Sequence, residues 1–212
     1  MDRKIKKLIL RENIIKTFVL IFGFLCFLSF NLQAPQERIN ALEDAFIQGG
    51  ETSTEAFGET KAKILHIGHS DKNSKYARIT YLKFKMPKNF ESIKKINLLI
   101  NVKVFKKEDF PDDTFALSVF LVNTDNWSES NVTWEDALEL GPKIAHINLP
   151  QTKTDKSEEV KIELDVNEIK DNFSKKRGSV LSLALTSYES KMSAVVTSKD
   201  NSPKFGPYLV LE

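Results

Sequence analysis

The sequence predicts an all-β protein, an antiparallel β-sandwich, and three observations carry that expectation. Apolar and polar residues alternate in short runs. From Lys95 to Phe105, Ile96, Leu98, Ile100, Val102 and Val104 fall on one face and Asn97, Asn101 and Lys103 on the other, with Leu99 the exception. A period of two is the pattern of a strand with one covered face. Polar, turn-forming segments separate these runs, as in Ser70–Lys75 and Gln151–Glu159. Helical spacing is confined to short stretches, so eight to ten short strands account for most of the chain.

The chain has 212 residues, 41% hydrophobic and 28% charged, enough for one good core or two small ones and ordinary for a soluble globular protein. The formal charge of +2 hides an asymmetry. Residues 1–34 hold six basic and two acidic side chains, which leaves 25 basic and 27 acidic from Pro35 onward, near −2. Nothing in that balance points to nucleic acid. The basic stretch Arg3–Lys16 precedes 14 uncharged residues, Thr17–Phe30, short of the roughly 20 that span a bilayer. This is the pattern of a secretory signal, with cleavage expected after Ala34 and an uncleaved anchor as the alternative. The signal implies export to the periplasm, the cell surface or the medium, with no membrane association once it is removed. The only cysteine, Cys26, lies inside this segment, and Leu25 before it argues against lipidation. A mature chain then has no disulfide, thiol nucleophile or cysteine metal site.

The expected organisation is a signal over 1–34, a polar linker over 35–41 and one domain over 42–212. Ala41–Ile47 fits either a helical face or a strand. Lys63–Ile67 reads as a strand with Leu65 and Ile67 on one face. Ala77–Met86 places Leu82, Phe84 and Met86 on one side and Tyr81, Lys83 and Lys85 on the other. Phe115–Val122 is apolar on both faces and should lie centrally, covered on both sides. Glu135–Leu140 suggests a helical turn. Ile144–Leu149 and Val160–Val166 follow as strands, and Asn167–Phe173 as a short helix. Leu181–Leu185, Met192–Ser198 and Tyr208–Leu211 complete the sheets.

Both tryptophans fall in Asp125-Asn126-Trp127-Ser128-Glu129-Ser130-Asn131-Val132-Thr133-Trp134. Large apolar rings in a polar, turn-like stretch mark a long connection pinned by aromatic anchors. One reading makes both indoles core caps; the other leaves one exposed as a sugar-stacking platform. The spacing Trp-Ser-Glu-Ser-Asn-Val-Thr-Trp resembles the signature of the DNRLRE-type domains. Three further segments stand in the family's order: Asp44-Ala45-Phe46-Ile47; Arg78 with Tyr81-Leu82-Lys83-Phe84; and Thr197-Ser198-Lys199-Asp200 followed by Pro207-Tyr208-Leu209-Val210. Those domains are jelly-roll modules, some grouped as family 96 of carbohydrate-binding modules and found on alginate lyases and other polysaccharide-degrading enzymes. Asp200 stands where the family usually has Glu, and Lys85 where an Asp often follows.

The resemblance decides Ala41–Ile47 in favour of a strand and specifies a β-sandwich of jelly-roll type. It implies non-catalytic binding of a polysaccharide, with acidic, alginate-like chains favoured. Tyr81 is then expected to stack a sugar, with Arg78, Lys83 and Lys199 meeting its carboxylates. Trp127 and Trp134 are expected to be structural anchors, and Glu129 to tie down a loop by accepting backbone hydrogen bonds.

No motif for nucleophilic, zinc or nucleotide chemistry is present, and no cofactor is expected. The enzyme alternative is a lyase in which Tyr81, Arg78 and Lys83 form a base and charge-neutralising set. The third class is a structural or adhesive surface module. His66 and His69 sit three apart on a strand, so they face opposite ways and do not chelate one ion, and His146 has no ligand pattern nearby. Asp109, Asp112 and Asp113 supply too few oxygens for calcium.

Overall fold

The structure is a computed structural model; it describes residues 36–58, 63–68, 75, 77–105, 114–176, 179–188 and 192–212. The expected signal, Cys26, His69 and the Asp109–Asp113 cluster lie outside the described residues.

Among the described residues eleven strands form the body: β1 (Glu37–Asn40), β2 (Glu43–Gln48), β3 (Ile64–Gly68), β4 (Arg78–Lys85), β5 (Ile96–Phe105), β6 (Thr114–Val122), β7 (Leu140–Pro150), β8 (Glu158–Leu164), β9 (Val180–Thr186), β10 (Ser193–Thr197) and β11 (Tyr208–Leu211). All the pairings are antiparallel. One hydrogen-bonded path runs β1-β11-β5-β10-β3-β4-β9-β6-β7, with β8 on β5 and β2 on β4. The link between β3 and β4 is a single pair, Gly68 with Arg78. There the path turns from a layer built around β5 to a layer of β2, β4, β9, β6 and β7. The fold is the all-β antiparallel sandwich expected.

Alternation explains the core. Ile96, Leu98, Ile100, Val102 and Val104 of β5 face Leu82 and Phe84 of β4, the odd-numbered residues Phe115 to Leu121 of β6, and Leu181, Leu183 and Leu185 of β9 in one buried cluster. Burying an aliphatic side chain of this size contributes about 1.5–3 kcal/mol. Phe115–Val122 is central, between β7 and β9, and covered on both faces. The reason is a second, smaller cluster on the opposite face, made by Ala45, Ile47, Tyr81, Val122, Trp127, Val132 and Ala184.

Three elements differ from expectation. The stretch read as a linker contains β1, whose Glu37–Asn40 pair with Tyr208–Leu211. Its side chains are mostly exposed, so it carries no alternation to read. The helix is longer than expected, α1 at Val166–Lys176. It begins where the Asp165 carboxylate accepts the Asn167 and Glu168 amides at 3.0 and 3.1 Å, an N-cap, and Ile169 and Phe173 anchor it on the core. Glu135–Leu140 forms no helical turn. The Trp134 and Glu135 amides donate instead to the Ser53 carbonyl at 3.0 and 3.2 Å. No helix among the described residues is long and apolar enough to cross a membrane.

Candidate functional site

The four sequence segments singled out above converge at one end of β2. Strand β2 pairs with β4, which places Glu43 directly across from Lys83 and Ala45 across from Tyr81. The connection over residues 123–139 folds back over this face and brings Trp127 and Glu129 onto it. The turn after β10 brings Ser198 and Lys199 to the same place.

The contacts form a closed set. The Asp44 carboxylate accepts the Ser198 hydroxyl at 2.8 Å and the Lys199 amide at 2.7 Å. Glu129 accepts the Asp44 amide at 3.4 Å and pairs with the Lys199 ammonium at 3.0 Å. Lys199 also pairs with Asp200 at 2.8 Å. Glu43 takes the Lys83 ammonium on one oxygen at 2.8 Å and the Glu129 amide on the other at 3.0 Å. Lys83 further donates to the Trp127 carbonyl and lies 4.5 Å over the indole. The indole N–H donates to the Ser182 hydroxyl at 3.1 Å. Gly206 passes so close to Lys199 that a Cβ there would come within 2.6 Å of its Cα. Gly58 approaches the Glu129 backbone at least as tightly, and a Cβ there would overlap its carbonyl oxygen. The charged groups thus stitch β2, β4, the long connection and the C-terminal segment together.

Electrostatics follow from burial. Desolvation pushes the Asp44 carboxyl up to about 6, although the Lys199 amide and the Ser198 hydroxyl work the other way. Burial pulls the Lys199 ammonium down, but its hydrogen bonds to Asp200 and Glu129 outweigh that and raise it. Burial likewise raises the Tyr81 phenol to about 12, while its oxygen accepts the Leu138 amide at 3.2 Å. His66, half-buried and edge-on to Phe46, is held down to about 4 by desolvation and then by Arg78. Asp44, Glu129 and Asp200 each bring a carboxylate oxygen within 4.8 Å of the others. Lys199 is the counter-ion of two of them, and protein donors occupy Asp44.

These placements correct part of the expected binding set. Tyr81 has no exposed surface and packs 5.9 Å from the Trp127 ring, so it presents no face to a sugar. Lys83 is 5% exposed and its ammonium is bound on the protein side. Truncating it strips the partner from Glu43, a loss of about 3–5 kcal/mol for a buried pair. Arg78 is half-buried and donates to Gln48 at 2.8 Å. Lys199 is half-buried between two acids. Of the two indoles, Trp127 is 5% exposed and Trp134 is only partly covered. Sequence reasoning missed Glu43 and Ser182, whose partners are distant in the chain. It also missed the aromatic pair Phe120 and Tyr188, although a tyrosine in the polar stretch Ser187–Lys191 was a visible signal.

Comparison with known proteins accords with this arrangement. A solved structure of the K1 cleaved adhesin domain of Lys-gingipain from Porphyromonas gingivalis W83 is similar over 85% of this chain and 92% of its own, at 9% identity and a TM-score of 0.30, too distant to carry an argument. No curated protein matches the chain. The model of carbohydrate-binding module family 96 matches residues 35–212, a span that takes in all four convergent segments. The chain therefore belongs to carbohydrate-binding module family 96.

Proposed function

We propose that this protein is an exported module that binds a polysaccharide without cleaving it, with acidic chains such as alginate favoured. The family match over the whole described body is the observation that carries this reading. The state of the residues a lyase would need supports it further. The Tyr81 phenol is buried, held above its ordinary value and engaged by the Leu138 amide, and Lys83 is bound to Glu43. A general base needs reach to its substrate and a value near the working pH, and Tyr81 has neither. Export rests on the basic, then apolar, N-terminal segment.

Affinity electrophoresis in gels containing alginate or an uncharged glucan, paired with an assay for unsaturated uronate products, tests the reading. Retardation by alginate without product formation is the expected result. Product formation would make the protein a lyase. Free migration through both gels would favour a structural or adhesive role.

A further inference from the structure

The docked connection covers only part of the outward face of the β2-β4-β9-β6-β7 layer. It closes over Ala45, Tyr81, Val122 and Ala184, with Phe120 and Leu140 packed at its margin, and beyond that margin Lys143, His146 and Asn148 of β7 are exposed. Cross-strand pairing sets out the residues of this margin in rows. Ala184, Phe120 and Lys143 form one row, and Thr186, Ser118 and His146 the next; Ala184, Thr186 and Ser118 are buried, and the β7 member of each row is exposed. Alternation adds Ala116, with Asn148 across from it.

Two aromatic rings form a corner there. Tyr188, just beyond β9, is 50% exposed. Its ring meets that of half-buried Phe120 edge-on, with centroids 6.1 Å apart and planes at 82°. A cation stands directly across the strand pair, because Lys143 is the register partner of Phe120. The β6–β7 register slips on either side of Phe120, and these bulges re-aim β7. They let Ile144 turn into the core while Lys143 beside it stays exposed. Unlike Lys83 and Lys199, Lys143 has no ion pair or hydrogen bond with the other described residues. His146 and Asn148 are also exposed, and the His146 Nδ1 is engaged by the Ser118 hydroxyl at 3.1 Å, while Nε2 has no partner among the described residues.

We propose that the exposed part of this face, Tyr188, Lys143, His146 and Asn148 beside half-buried Phe120, is the glycan-binding site and that its ligand is a carboxylate-bearing polysaccharide chain. The inference rests on the polysaccharide reading above. One sugar ring stacks in the Phe120–Tyr188 corner with its carboxylate on Lys143, and hydroxyls of the next residues of the chain meet His146 and Asn148. The exposed residues follow one another along β7, an arrangement that suits a polymer. A second concavity of about 340 Å³ lies beside Phe105 and is lined by Lys103 and Lys153 among others. Its Lys103 ammonium is already committed to Asp155. The free cation and the paired rings favour the β6–β7 face.

The test is calorimetric titration of alginate and of an uncharged glucan into the wild-type protein, Tyr188→Ala, Lys143→Glu and the double variant Phe105→Ala/Lys153→Ala, with folding checked by circular dichroism. Tyr188→Ala is expected to weaken alginate binding about tenfold, the scale of one lost aromatic contact. Lys143→Glu should weaken it as well and flatten its salt dependence. The Phe105→Ala/Lys153→Ala variant should bind as wild type does. Wild-type affinity for alginate in both Tyr188→Ala and Lys143→Glu overturns the site and leaves the polysaccharide reading standing. Binding of the glucan alone overturns the carboxylate assignment. A wild-type protein that binds neither polymer removes the reading and the site together. Lys143→Glu alters an exposed position, so it decides the matter alone where Tyr188→Ala does not fold.

Discussion

Asp44 is a small side chain with a large structural task. It is fully buried, yet its two oxygens satisfy a hydroxyl and an amide of the C-terminal segment, and its own amide is satisfied by Glu129. Burial of an acid is costly unless its oxygens are bonded, and here they are. Desolvation still wins and lifts the carboxyl from 3.8 to about 6. A carboxyl whose folded value exceeds its unfolded value favours the folded state while protonated. Its contribution is therefore complete below about pH 4 and is lost as pH rises through 6. Against an Asp44→Asn variant, which does not titrate, the wild-type protein should lose up to about 3 kcal/mol between pH 4 and pH 7. Urea unfolding of both proteins across that range measures it; a constant difference would refute the raised value. The facing charges, Lys199, Glu129 and Asp200, are the same in both proteins. The role of Asp44 was marked in the sequence only by its place in a motif. Its partners lie 85 and about 155 positions away, a distance that no local pattern bridges.

Among the elements, the connection over residues 123–139 shapes the surface most. It is polar enough to read as a loop, and it behaves as a lid on the outward face of β4 and β9 because Trp127 inserts among Ala45, Ile47, Tyr81 and Ala184. Its backbone is held by Glu43, Lys83 and Tyr81. Removing the ring leaves a cavity and takes the indole N–H from the Ser182 hydroxyl, which keeps its bond to Asp125, so Trp127→Ala should cost about 3–5 kcal/mol. The loss should appear as a lower denaturation midpoint together with faster amide exchange across the connection. Faster exchange confined to β6 and β7 would contradict the docking. The strands were largely legible because β3, β4, β5, β8, β9 and β10 each turn apolar residues at alternate positions into the shared core. Strand β1 was not, since it adds to β11 through backbone bonds with little burial of side chains. Strand β7 extends to eleven residues because bulges absorb Gly141, Pro142 and Ile144, which break the alternation on which a shorter strand was drawn.

At the scale of the whole molecule, one apolar cluster is shared by both layers, and the charged stitch at Asp44 ties the first strands to the last. The layers cannot separate without exposing the same core, so calorimetry should give a single transition with equal calorimetric and van't Hoff enthalpies. Two resolved transitions would mean that the layers fold independently. The sequence alone determined the class, the place of most strands and the family motifs, because apolar alternation and turn chemistry are local properties of the chain. Tertiary structure alone decided that Tyr81 and Lys83 lie under a lid while Tyr188 and Lys143 stand open. A side chain's face can be read from its parity, but whether another part of the chain folds over that face depends on packing between residues far apart in sequence.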